Sequence, residues 1–355
     1  MTNSKLETYK NLKVVVTGST GFKGAWLCFW LHLLNAKVVG IALKPEKNSI
    51  LFKKLLLSRK IKQIYLDINN FQKLNLIIKK EKPDIIFHLA AQSVVSESYI
   101  NPLETIRTNV LGSSNILESV RINKIKNLVF ITSDKCYLND GRKTGYSESD
   151  VLGGDDLYSA SKACTELAFA AYYKSFLNKN KKLTFATTRA GNVVGGGDMK
   201  KDRIVPDVIK SLKNKTPLII RSPDSTRPWQ HVLEPISGYL KLGDLLMNKK
   251  LSSSIKPNWN FGPGTLSCKS VIRVVEEVIK CWGEEKKINI IRSNKFKEAK
   301  LLMINSDKAK KELGWTPSLN FKETIKMTVE WYKCCFFENK TEETTRKQIE
   351  YFLKK

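Results

Sequence analysis

The sequence predicts an α/β protein in which a doubly wound parallel sheet is followed by a smaller α/β domain. Over the first 190 residues, short β-branched runs alternate with longer helical patterns, as in a parallel sheet covered by helices on both faces. A glycine-rich turn follows the first of these runs. After residue 190 the elements become shorter, and they open with a second glycine-rich stretch at 191–198. We therefore predict two domains, at 1–190 and 191–355.

Length and apolar content separate the strands from the helices. Lys13–Thr17 is short and rich in valine, as a buried strand is, whereas 22–34 is long enough for a helix. On the same grounds we predict strands at Lys37–Ala42, 84–89, 127–132 and 183–188, another strand ending near Asp67, and helices at 72–81, 102–121 and 158–176. In the second half we predict helices at 204–212, Leu233–Met247, 267–281 and 321–337, and strands at 218–221 and 259–261.

The composition is that of a globular chain. Of 355 residues, 42% are hydrophobic and 27% are charged, which excludes a disordered or collagen-like polymer. Basic residues outnumber acidic ones by 61 to 34, a formal net charge of +27 that favours a nucleic acid, a membrane surface or a phosphorylated small molecule as partner. Only 11 of the 61 are Arg, however, and dispersed Lys indicates a solvated surface.

Cysteine usage and hydropathy indicate the cellular compartment. The seven cysteines form no Cys-x-x-Cys pair and the three histidines have no metal-ligand spacing, so we expect reduced core cysteines and no metal site. The first ten residues lack the apolar run of a secretory signal. The longest apolar stretch, 25–34, has about half the length that a membrane span needs. We predict a cytoplasmic protein without a membrane partner.

Three glycines, Gly18, Gly21 and Gly24, lie between the first predicted strand and the first predicted helix. This spacing permits a tight turn, close approach of the backbone to a pyrophosphate, and contact between helix and strand. The helix N-terminus then faces the negative charge. The context favours a Rossmann-type dinucleotide site over a plain turn. The intervening residues expected to join that site are Thr20, Phe22 and Lys23.

Two positions bear on which cofactor binds. An acidic residue about 20 positions after the loop usually holds the ribose hydroxyl of NAD, but Lys44 stands there. Because a cation would tolerate a 2′-phosphate, we predict NAD and leave NADP open. Asp67 is a candidate for contact with the adenine, and its alternative role is that of a helix-capping or turn residue.

Tyr158 and Lys162 are four residues apart, so they share one face of a predicted helix. A nearby ammonium stabilises a phenolate, which lowers the pKa of the tyrosine. Such a tyrosine can take a proton from a sugar hydroxyl while hydride leaves for a nicotinamide. Ser133, Asp134 and Lys135 follow the predicted strand at 127–132, whose carboxyl end should face the ligand. The alternative for these three residues is an ordinary turn.

Several motifs together carry a resemblance to a known family. They are TGSTGFKGAW at 17–26, HLAAQ at 88–92, TSDKCY at 132–137, RAGNVVGGGD at 189–198 and RPWQHVLEP at 227–235. Over roughly residues 10–335 the chain resembles the extended short-chain dehydrogenase/reductases that act on nucleotide sugars, and it is similar to the CDP-glucose 4,6-dehydratases. The last two motifs are more specific than the glycine loop, because the wider superfamily varies there.

The resemblance implies an internal redox reaction that turns CDP-glucose into CDP-4-keto-6-deoxyglucose with a retained NAD. Tyr158 would take the proton of the 4-hydroxyl, Lys162 would tune Tyr158 and hold the nicotinamide ribose, and Ser133 would bond the reacting oxygen. Asp134 would protonate the departing 6-hydroxyl. Further cofactor contacts implied by the resemblance are Ala90, Ala91, Gln92 and Asn109.

Lys135 stands where related dTDP-glucose dehydratases carry Glu as the base for carbon 5. A lysine is a base only when it is neutral, which requires burial or nearby positive charge. We predict that Lys135 removes the carbon-5 proton. The other role open to it is that of a charged group that stabilises the enolate.

The predicted substrate-binding residues are Asn192, Arg203, Pro206, Arg221, Arg227 and His231. By resemblance, Arg227 would clamp the CDP pyrophosphate, Arg203 and Pro206 would hold the cytidine, and Asn192 would bond near the diphosphate or the sugar. His231 is expected to order its loop more than to do chemistry. The segment 137–152 departs from the family in being small and polar, and we expect it to cover the sugar.

Two alternatives stay open. Another nucleotide-sugar dehydratase or a 4-epimerase would also need Tyr158 and Lys162, but an epimerase needs no acid for loss of water. A non-catalytic cofactor-sensing or nucleic-acid-binding protein would use the +27 charge, and the intact Tyr158 and Lys162 pair argues against it.

The resemblance also implies a homodimer, formed through the helices at 102–121 and 158–176. The small residues Ala160, Ala163 and Ala168 would permit close packing of these helices. Composition alone does not prove such an interface.

Overall fold

A seven-stranded parallel sheet forms the centre of the molecule. The computed structural model describes residues 3–47, 49–142, 144–178, 181–220, 222–264, 267–284, 288–290 and 301–355. The strands are β1 (Lys13–Thr17), β2 (Lys37–Ala42), β3 (Lys62–Tyr65), β4 (Ile85–His88), β5 (Leu128–Ile131), β6 (Phe185–Ala190), β7 (Val193–Val194), β8 (Leu218–Ile220), β9 (Thr226–Pro228), β10 (Gln230–His231), β11 (Asn258–Phe261), β12 (Cys268–Ser270) and β13 (Ile288–Ile290). The large sheet has the order β11-β6-β5-β4-β1-β2-β3, and all its neighbours are parallel.

Helices cover both faces of this sheet. They are α1 (Phe22–Leu33), α2 (Ile50–Lys54), α3 (Leu57–Lys60), α4 (Phe71–Glu81), α5 (Val95–Ile100), α6 (Pro102–Ile106), α7 (Ser113–Ile122), α8 (Leu157–Tyr172), α9 (Ile204–Asn214), α10 (Leu233–Met247), α11 (Val271–Trp282), α12 (Phe321–Lys333) and α13 (Thr341–Leu353). Wider helical turns at Arg107–Gly112, Tyr173–Leu177, Ala309–Leu313 and Cys334–Glu338 join or extend them, and tighter turns lie at Asn3–Tyr9 and Asp134–Cys136.

The predicted parallel α/β architecture is confirmed, and the predicted strands of the first half lie within two residues of the observed ones. The helix predicted at 267–281 was wrong at its start. Cys268–Ser270 is extended because it pairs antiparallel with β9, so the helix begins only at Val271. Of the predicted strand at 218–221, Leu218–Ile220 is present, and Arg221 lies outside the described residues.

The large sheet draws on both halves of the chain. Its outermost strand, β11, pairs with β6 although it comes well after residue 190. Helix α10 also packs against this sheet and against the turn at Asn3–Tyr9. The hydroxyl of Tyr9 donates to the carbonyl of Leu240 at 2.7 Å. The division into domains at residue 190 therefore stays a prediction, and the cofactor half of the fold is completed by later residues.

Helix α1 explains the longest apolar stretch in the sequence. Every residue from position 24 to position 31 is buried. The indole nitrogen of Trp26 donates to the carbonyl of Gly196 at 2.9 Å, and Trp30 packs edge-on against Phe352 of α13. The stretch is a core helix that the C-terminal helix covers. Across the described ranges, the structure contains no helix with the length and hydropathy to cross a membrane.

Candidate active site

The glycine turn after β1 brings two backbone segments into contact. Gly18 has a φ of +72°, and a Cβ there would lie 2.9 Å from the amide nitrogen of Ala90. A Cβ on Gly24 would lie only 2.1 Å from the carbonyl oxygen of Gly18. Residues with a side chain therefore cannot replace either glycine without moving the backbone. Helix α1 therefore packs directly against the backbone of the turn.

The N-terminus of α1 is open to an anion. Gly21 precedes this 12-residue helix, no side chain caps it, and its first turn has no acidic residue. Backbone N–H groups at such a terminus favour a phosphate. At the adjoining end of β2, the hydroxyl of Thr20 donates to the carbonyl of Leu43 at 3.1 Å, and Lys44 is exposed just beyond. This cradle fits the pyrophosphate of a dinucleotide.

The turn is held to the end of β4 by a fixed histidine tautomer. The Thr17 hydroxyl accepts N–H groups of Leu89 and Ala90, so its own proton goes to Nδ1 of His88, 2.8 Å away. Nε2 of His88 then donates to Ser113 at 2.9 Å. Burial lowers the pKa of His88 to about 3, and the ring stays neutral. The first residues of the HLAAQ motif are thereby fixed beside the glycine turn.

Asn109 ties that motif to helix α8. Its side-chain oxygen accepts the N–H of Gln92 at 2.8 Å. Its amide nitrogen donates to the Gln92 carbonyl at 3.1 Å and to the Ser161 hydroxyl at 2.9 Å. The amide therefore orients the loop after β4 against the helix that carries the predicted catalytic tyrosine.

Tyr158 and Lys162 lie together on α8, both buried, with the Lys162 ammonium 5.8 Å from the centroid of the Tyr158 ring. Burial raises the pKa of Tyr158 to about 12, and a hydrogen bond with Ser133 acts in the opposite direction. Burial, followed by repulsion from Lys23, lowers the pKa of Lys162 to about 7. In the structure burial outweighs stabilisation by a neighbouring ammonium, so the pKa of Tyr158 is raised and not lowered as predicted.

The predicted acid lies next to this pair. Asp134 follows β5 in a tight turn, is 4% exposed, and accepts the Ser133 hydroxyl at 3.0 Å. Burial raises the pKa of its carboxyl, and the charges of Lys135, Arg227 and Lys23 oppose that rise. A carboxyl with a raised pKa is suited to deliver a proton. Ser133 thus links a candidate acid to the candidate redox tyrosine.

Two later motifs meet at the same carboxyl. A Cβ on Gly191 would lie 3.1 Å from Oδ2 of Asp134, so the glycine leaves room for the carboxylate. Arg227 is buried on β9, and its charge acts on Asp134. These residues are at least 57 positions from Asp134 in the sequence, and the fold brings them to it.

Arg203 connects the two halves of the chain. One guanidinium nitrogen lies 2.8 Å from Asp198, and the other donates to the carbonyl and hydroxyl oxygens of Ser93 at 3.2 and 3.1 Å. The charge of Arg203 also acts on Tyr158. The predicted substrate arginine is therefore near the predicted catalytic tyrosine.

Other predicted residues have structural contacts. The Asp67 carboxylate accepts the N–H of Asn69 at 2.9 Å, which is its turn role. Pro206 is buried in the first turn of α9, and the Asn192 carbonyl accepts the N–H of Gln230 at 3.2 Å. His231 is fully buried, its ring edge packs on Trp26, and burial lowers its pKa to about 3. His231 therefore orders its loop, and it is not an exposed substrate contact.

The segment 137–152 is pinned to a distant strand-like stretch. Tyr146 donates its N–H to the carbonyl of Met303 at 2.9 Å and accepts the N–H of Asn305 at 2.8 Å. Its ring stacks on Tyr137, with centroids 5.3 Å apart. The loop is thus built into the second half of the chain.

Two charged residues behind the site were missed by the sequence reasoning. Glu166 and Arg189 form an ion pair of 2.8 Å with side chains 3% and 2% exposed. One signal was present: each is a charge inside a segment of small or apolar residues predicted to be buried. Glu166 also lies one helical turn after Lys162, on the same face.

Comparison with known proteins agrees with this geometry. The family model described as GDP-mannose 4,6 dehydratase matches residues 15–328. A CDP-glucose 4,6-dehydratase of Salmonella typhimurium is 41% identical over 330 residues, which cover 92% of this chain and 91% of that protein. A dTDP-D-glucose 4,6-dehydratase of Dictyostelium discoideum is 25% identical over 365 residues, covering 90% of this chain and 81% of that protein.

Solved structures show the same fold. A dTDP-glucose 4,6-dehydratase of Bacillus anthracis in complex with NAD has a TM-score of 0.77 at 23% identity, covering 92% of this chain and 98% of that one. A UDP-glucose 4-epimerase of Thermotoga maritima has a TM-score of 0.78 at 20% identity, covering 91% and 99%. Since the family model spans most of the sequence and the Salmonella enzyme is similar over nearly its full length, the chain belongs to the nucleotide-sugar 4,6-dehydratase family of the short-chain dehydrogenase/reductases.

Proposed function

We propose that the protein converts CDP-glucose to CDP-4-keto-6-deoxyglucose with a retained NAD. The observation that carries the dehydratase reaction is the buried Asp134 carboxyl, which Ser133 links to Tyr158. A 4-epimerase needs the tyrosine but has no use for an acid beside it. The choice of CDP-glucose rests on the 41% identity to the Salmonella enzyme.

The first step is oxidation at carbon 4. A bound nicotinamide dinucleotide supplies the acceptor of the hydride and later returns it. Tyr158 accepts the proton of the 4-hydroxyl, and Ser133 holds the reacting oxygen. Lys162, when charged, opposes the burial that raises the pKa of Tyr158 to about 12, and so stabilises the phenolate that takes the 4-hydroxyl proton.

The second step is loss of water. The 4-ketone acidifies the hydrogen on carbon 5, and Lys135 removes it as a proton. Asp134 protonates the departing 6-hydroxyl, so one water leaves. Loss of water leaves a double bond between carbons 5 and 6. Hydride returned to carbon 6 from a bound dinucleotide would generate an enolate, and Lys135 would give carbon 5 its proton back, which completes the 6-deoxy-4-ketone and leaves the overall reaction redox-neutral. Asp134, whose pKa is raised by burial, is the donor suited to this step.

The role of Lys135 has its own test. In Lys135→Met, solvent deuterium exchange at carbon 5 should vanish while oxidation at carbon 4 persists, because only the carbon-5 base is removed. Exchange at carbon 5 at the parent rate would contradict the assignment. Exchange that slows and persists would favour the other role, a charged lysine that stabilises the enolate.

The nucleotide end is basic. Arg227 clamps the CDP pyrophosphate, while Arg203, Pro206 and Asn192 hold the cytidine and the sugar in our proposal. The exposed Lys44 at the ribose position leaves open whether NADP also binds. Calorimetric titration with NAD and with NADP distinguishes the two, and tighter binding of NADP would overturn our choice of NAD.

The deciding experiment is incubation of the purified protein with CDP-glucose and no added cofactor. We expect the alkaline absorbance of a 4-keto product and a mass loss of one water. If CDP-glucose is still unchanged after NAD and then NADP are added, CDP-glucose is not the substrate. A CDP-hexose of unchanged mass but altered configuration would replace the dehydratase with an epimerase.

We also propose a homodimer. Helices α6 and α7 both pack against α8. Leu103 of α6, Leu111 of the turn that joins α6 to α7, and Leu167 of α8 are exposed, Leu103 by 83%. Ala163, a small residue predicted to permit close packing at the interface, is buried within its own chain. The exposed face of α8 is therefore the one that carries Leu167. Sedimentation analysis should give a dimer that Leu167→Glu converts to a monomer. A monomeric parent protein would contradict the proposal.

A further inference from the structure

The buried ion pair of Glu166 and Arg189 has no part in the reaction steps above. Glu166 comes from α8, four residues after Lys162, and Arg189 comes from β6. Their 2.8 Å contact is shielded from solvent on all sides. Desolvation of both charges largely offsets their attraction, so a gain in stability does not explain an ion pair this deeply buried.

The pair contacts both ends of the turn at 133–136, which carries Ser133, Asp134 and Lys135. We call this segment the catalytic turn. The Thr132 hydroxyl, directly before Ser133, donates to Oε1 of Glu166 at 2.5 Å. At the other end, Arg189 donates to the hydroxyl of Tyr137 at 2.7 Å, and its guanidinium carbon lies 4.9 Å from the Tyr137 ring centroid. The four residues at 133–136 are therefore bracketed by one carboxylate and one guanidinium.

The bracket extends into the second half of the chain. The Tyr137 hydroxyl donates to the side-chain oxygen of Asn260 on β11 at 2.7 Å. The Asn260 amide nitrogen donates to the carbonyls of Tyr146 and Asn305 at 2.9 and 3.0 Å. The catalytic turn is thus held by groups from α8, β6, β11 and the pinned loop. Hydrogen bonds fix direction as well as distance, which apolar packing does not.

We propose that Glu166 and Arg189 are positioning residues, which hold Asp134 and Lys135 in register with Tyr158 and so commit the oxidised sugar to loss of water. This inference rests on the proposed function. The two half-reactions use groups from different elements, the tyrosine from α8 and the acid from the turn after β5. Glu166 is on the first element and holds the second through Thr132. Misplacement of the acid by a fraction of an ångström slows the second half-reaction.

A matched pair of variants tests the proposal. Thr132→Val and Thr187→Val each remove one buried hydroxyl that donates to Glu166, at 2.5 and 3.0 Å respectively. Only Thr132 adjoins the catalytic turn. We expect Thr132→Val to lower kcat for dehydration about tenfold or more, with KM for CDP-glucose within about twofold. It should also release part of the hexose as the 4-ketone that retains its 6-hydroxyl, and each such release leaves one equivalent of reduced dinucleotide on the protein. In Thr187→Val the product ratio should stay that of the parent protein.

Two further variants test whether the ion pair only stabilises the fold. Thr132→Ser keeps the hydroxyl and should restore the parent product ratio. Tyr137→Phe removes the acceptor of Arg189 at the other end of the turn and should shift the ratio as Thr132→Val does. If product ratio and kcat follow the melting temperature equally in the Thr132 and Thr187 variants, the pair only stabilises the fold and the proposal is overturned.

A readout without substrate separates this inference from the proposed function. Crystal structures of Thr132→Val and Thr187→Val should show the turn at 133–136 displaced in the first variant and unmoved in the second. A turn that is unmoved in both would overturn the positioning role even if CDP-glucose is dehydrated. A displaced turn in a protein that leaves CDP-glucose unchanged would sustain the positioning of the turn and overturn the substrate.

Discussion

The glycines of the cofactor cradle and those of the second half make close contacts of different kinds. In the cradle, the contact is between backbone atoms: a Cβ on Gly24 would lie 2.1 Å from the Gly18 oxygen. In the second half, it is between backbone and side chain, since a Cβ on Gly196 would lie 2.0 Å from the ring of Trp331. The cradle is therefore a local construction, whereas the later stretch depends on a partner 135 residues away.

The second stretch also has a different task. The indole of Trp26 holds the Gly196 carbonyl, and the Tyr332 hydroxyl donates to the Asp198 carbonyl. Asp198, so fixed, binds Arg203 at 2.8 Å, and Arg203 reaches Ser93 of the first half. In our proposal, the first region offers backbone N–H groups to the cofactor, and the second contributes side chains to the substrate. Cofactor binding and substrate binding should therefore respond to different substitutions.

The largest effect is expected where the two regions meet. Tyr158 is hydrogen-bonded to Ser133 in the first region and lies within reach of the Arg203 charge from the second. Tyr158→Phe removes the group that accepts the 4-hydroxyl proton, so kcat should fall by about 10²–10⁴-fold. Steady-state rates with CDP-glucose, with circular dichroism as the control for folding, measure this. A variant that keeps more than about a tenth of the parent kcat would show that Tyr158 is not the base.

Gly24→Ala should break the cradle. Its Cβ cannot be accommodated by a rotamer change, because the atom it meets is the Gly18 carbonyl oxygen. We expect NAD affinity to fall by about tenfold or more, since the turn that holds the pyrophosphate must move. Isothermal titration with the purified variant is the measurement. Unchanged NAD affinity would contradict the assignment of the cradle to the cofactor.

Gly196→Ala sharpens the comparison, because here the obstacle is a side chain. The Cβ would meet inner ring atoms of the buried Trp331, so the ring or the backbone must be displaced, and we expect a loss of about 1–3 kcal/mol in the free energy of unfolding. KM for CDP-glucose should rise while NAD affinity stays within about twofold, because the cradle is not touched. Urea unfolding and titration measure the two. Loss of NAD affinity equal to that of Gly24→Ala would mean that the two regions are not independent.

The smallest effect concerns pH, and each region supplies one buried histidine. The pKa of His88 and that of His231 are both lowered by burial to about 3. An unfolded histidine takes up its proton near pH 6.5, so the unfolded state binds more protons below that pH. The contribution of each ring to the free energy of unfolding is complete above about pH 6.5. It decreases by about 1.4 kcal/mol per pH unit as pH falls toward 3.

Urea unfolding between about pH 6.5 and 5 measures this effect together with an opposing one, because burial raises the pKa of Glu234 to about 7 and the folded state then binds the extra proton. The comparison with a histidine variant separates the two. In His231→Gln the slope contributed by the two rings should halve, while His88 keeps its neutral tautomer between Thr17 and Ser113. A slope unaltered by the substitution would mean that His231 is protonated in the folded protein.

Much of the first region was predictable from the sequence. The strands at Lys13–Thr17 and Lys37–Ala42, the glycine turn between them and the pair of Tyr158 and Lys162 follow from local composition and spacing. The second region was less predictable. Cys268–Ser270 became a strand only because β9 offered it a partner. Ala163, small enough for an interface, was buried by its own chain.

The sequence by itself determined the α/β alternation, the open N-terminus of α1 and the helical face shared by Tyr158 and Lys162. Those features depend on residues a few positions apart, whose geometry the backbone sets. Only the tertiary structure decided that Tyr158 has a raised pKa, that Glu166 and Arg189 bracket the catalytic turn, and that Arg203 reaches Ser93, 110 residues away. Burial and long-range contact depend on how every element packs, and no local pattern specifies either.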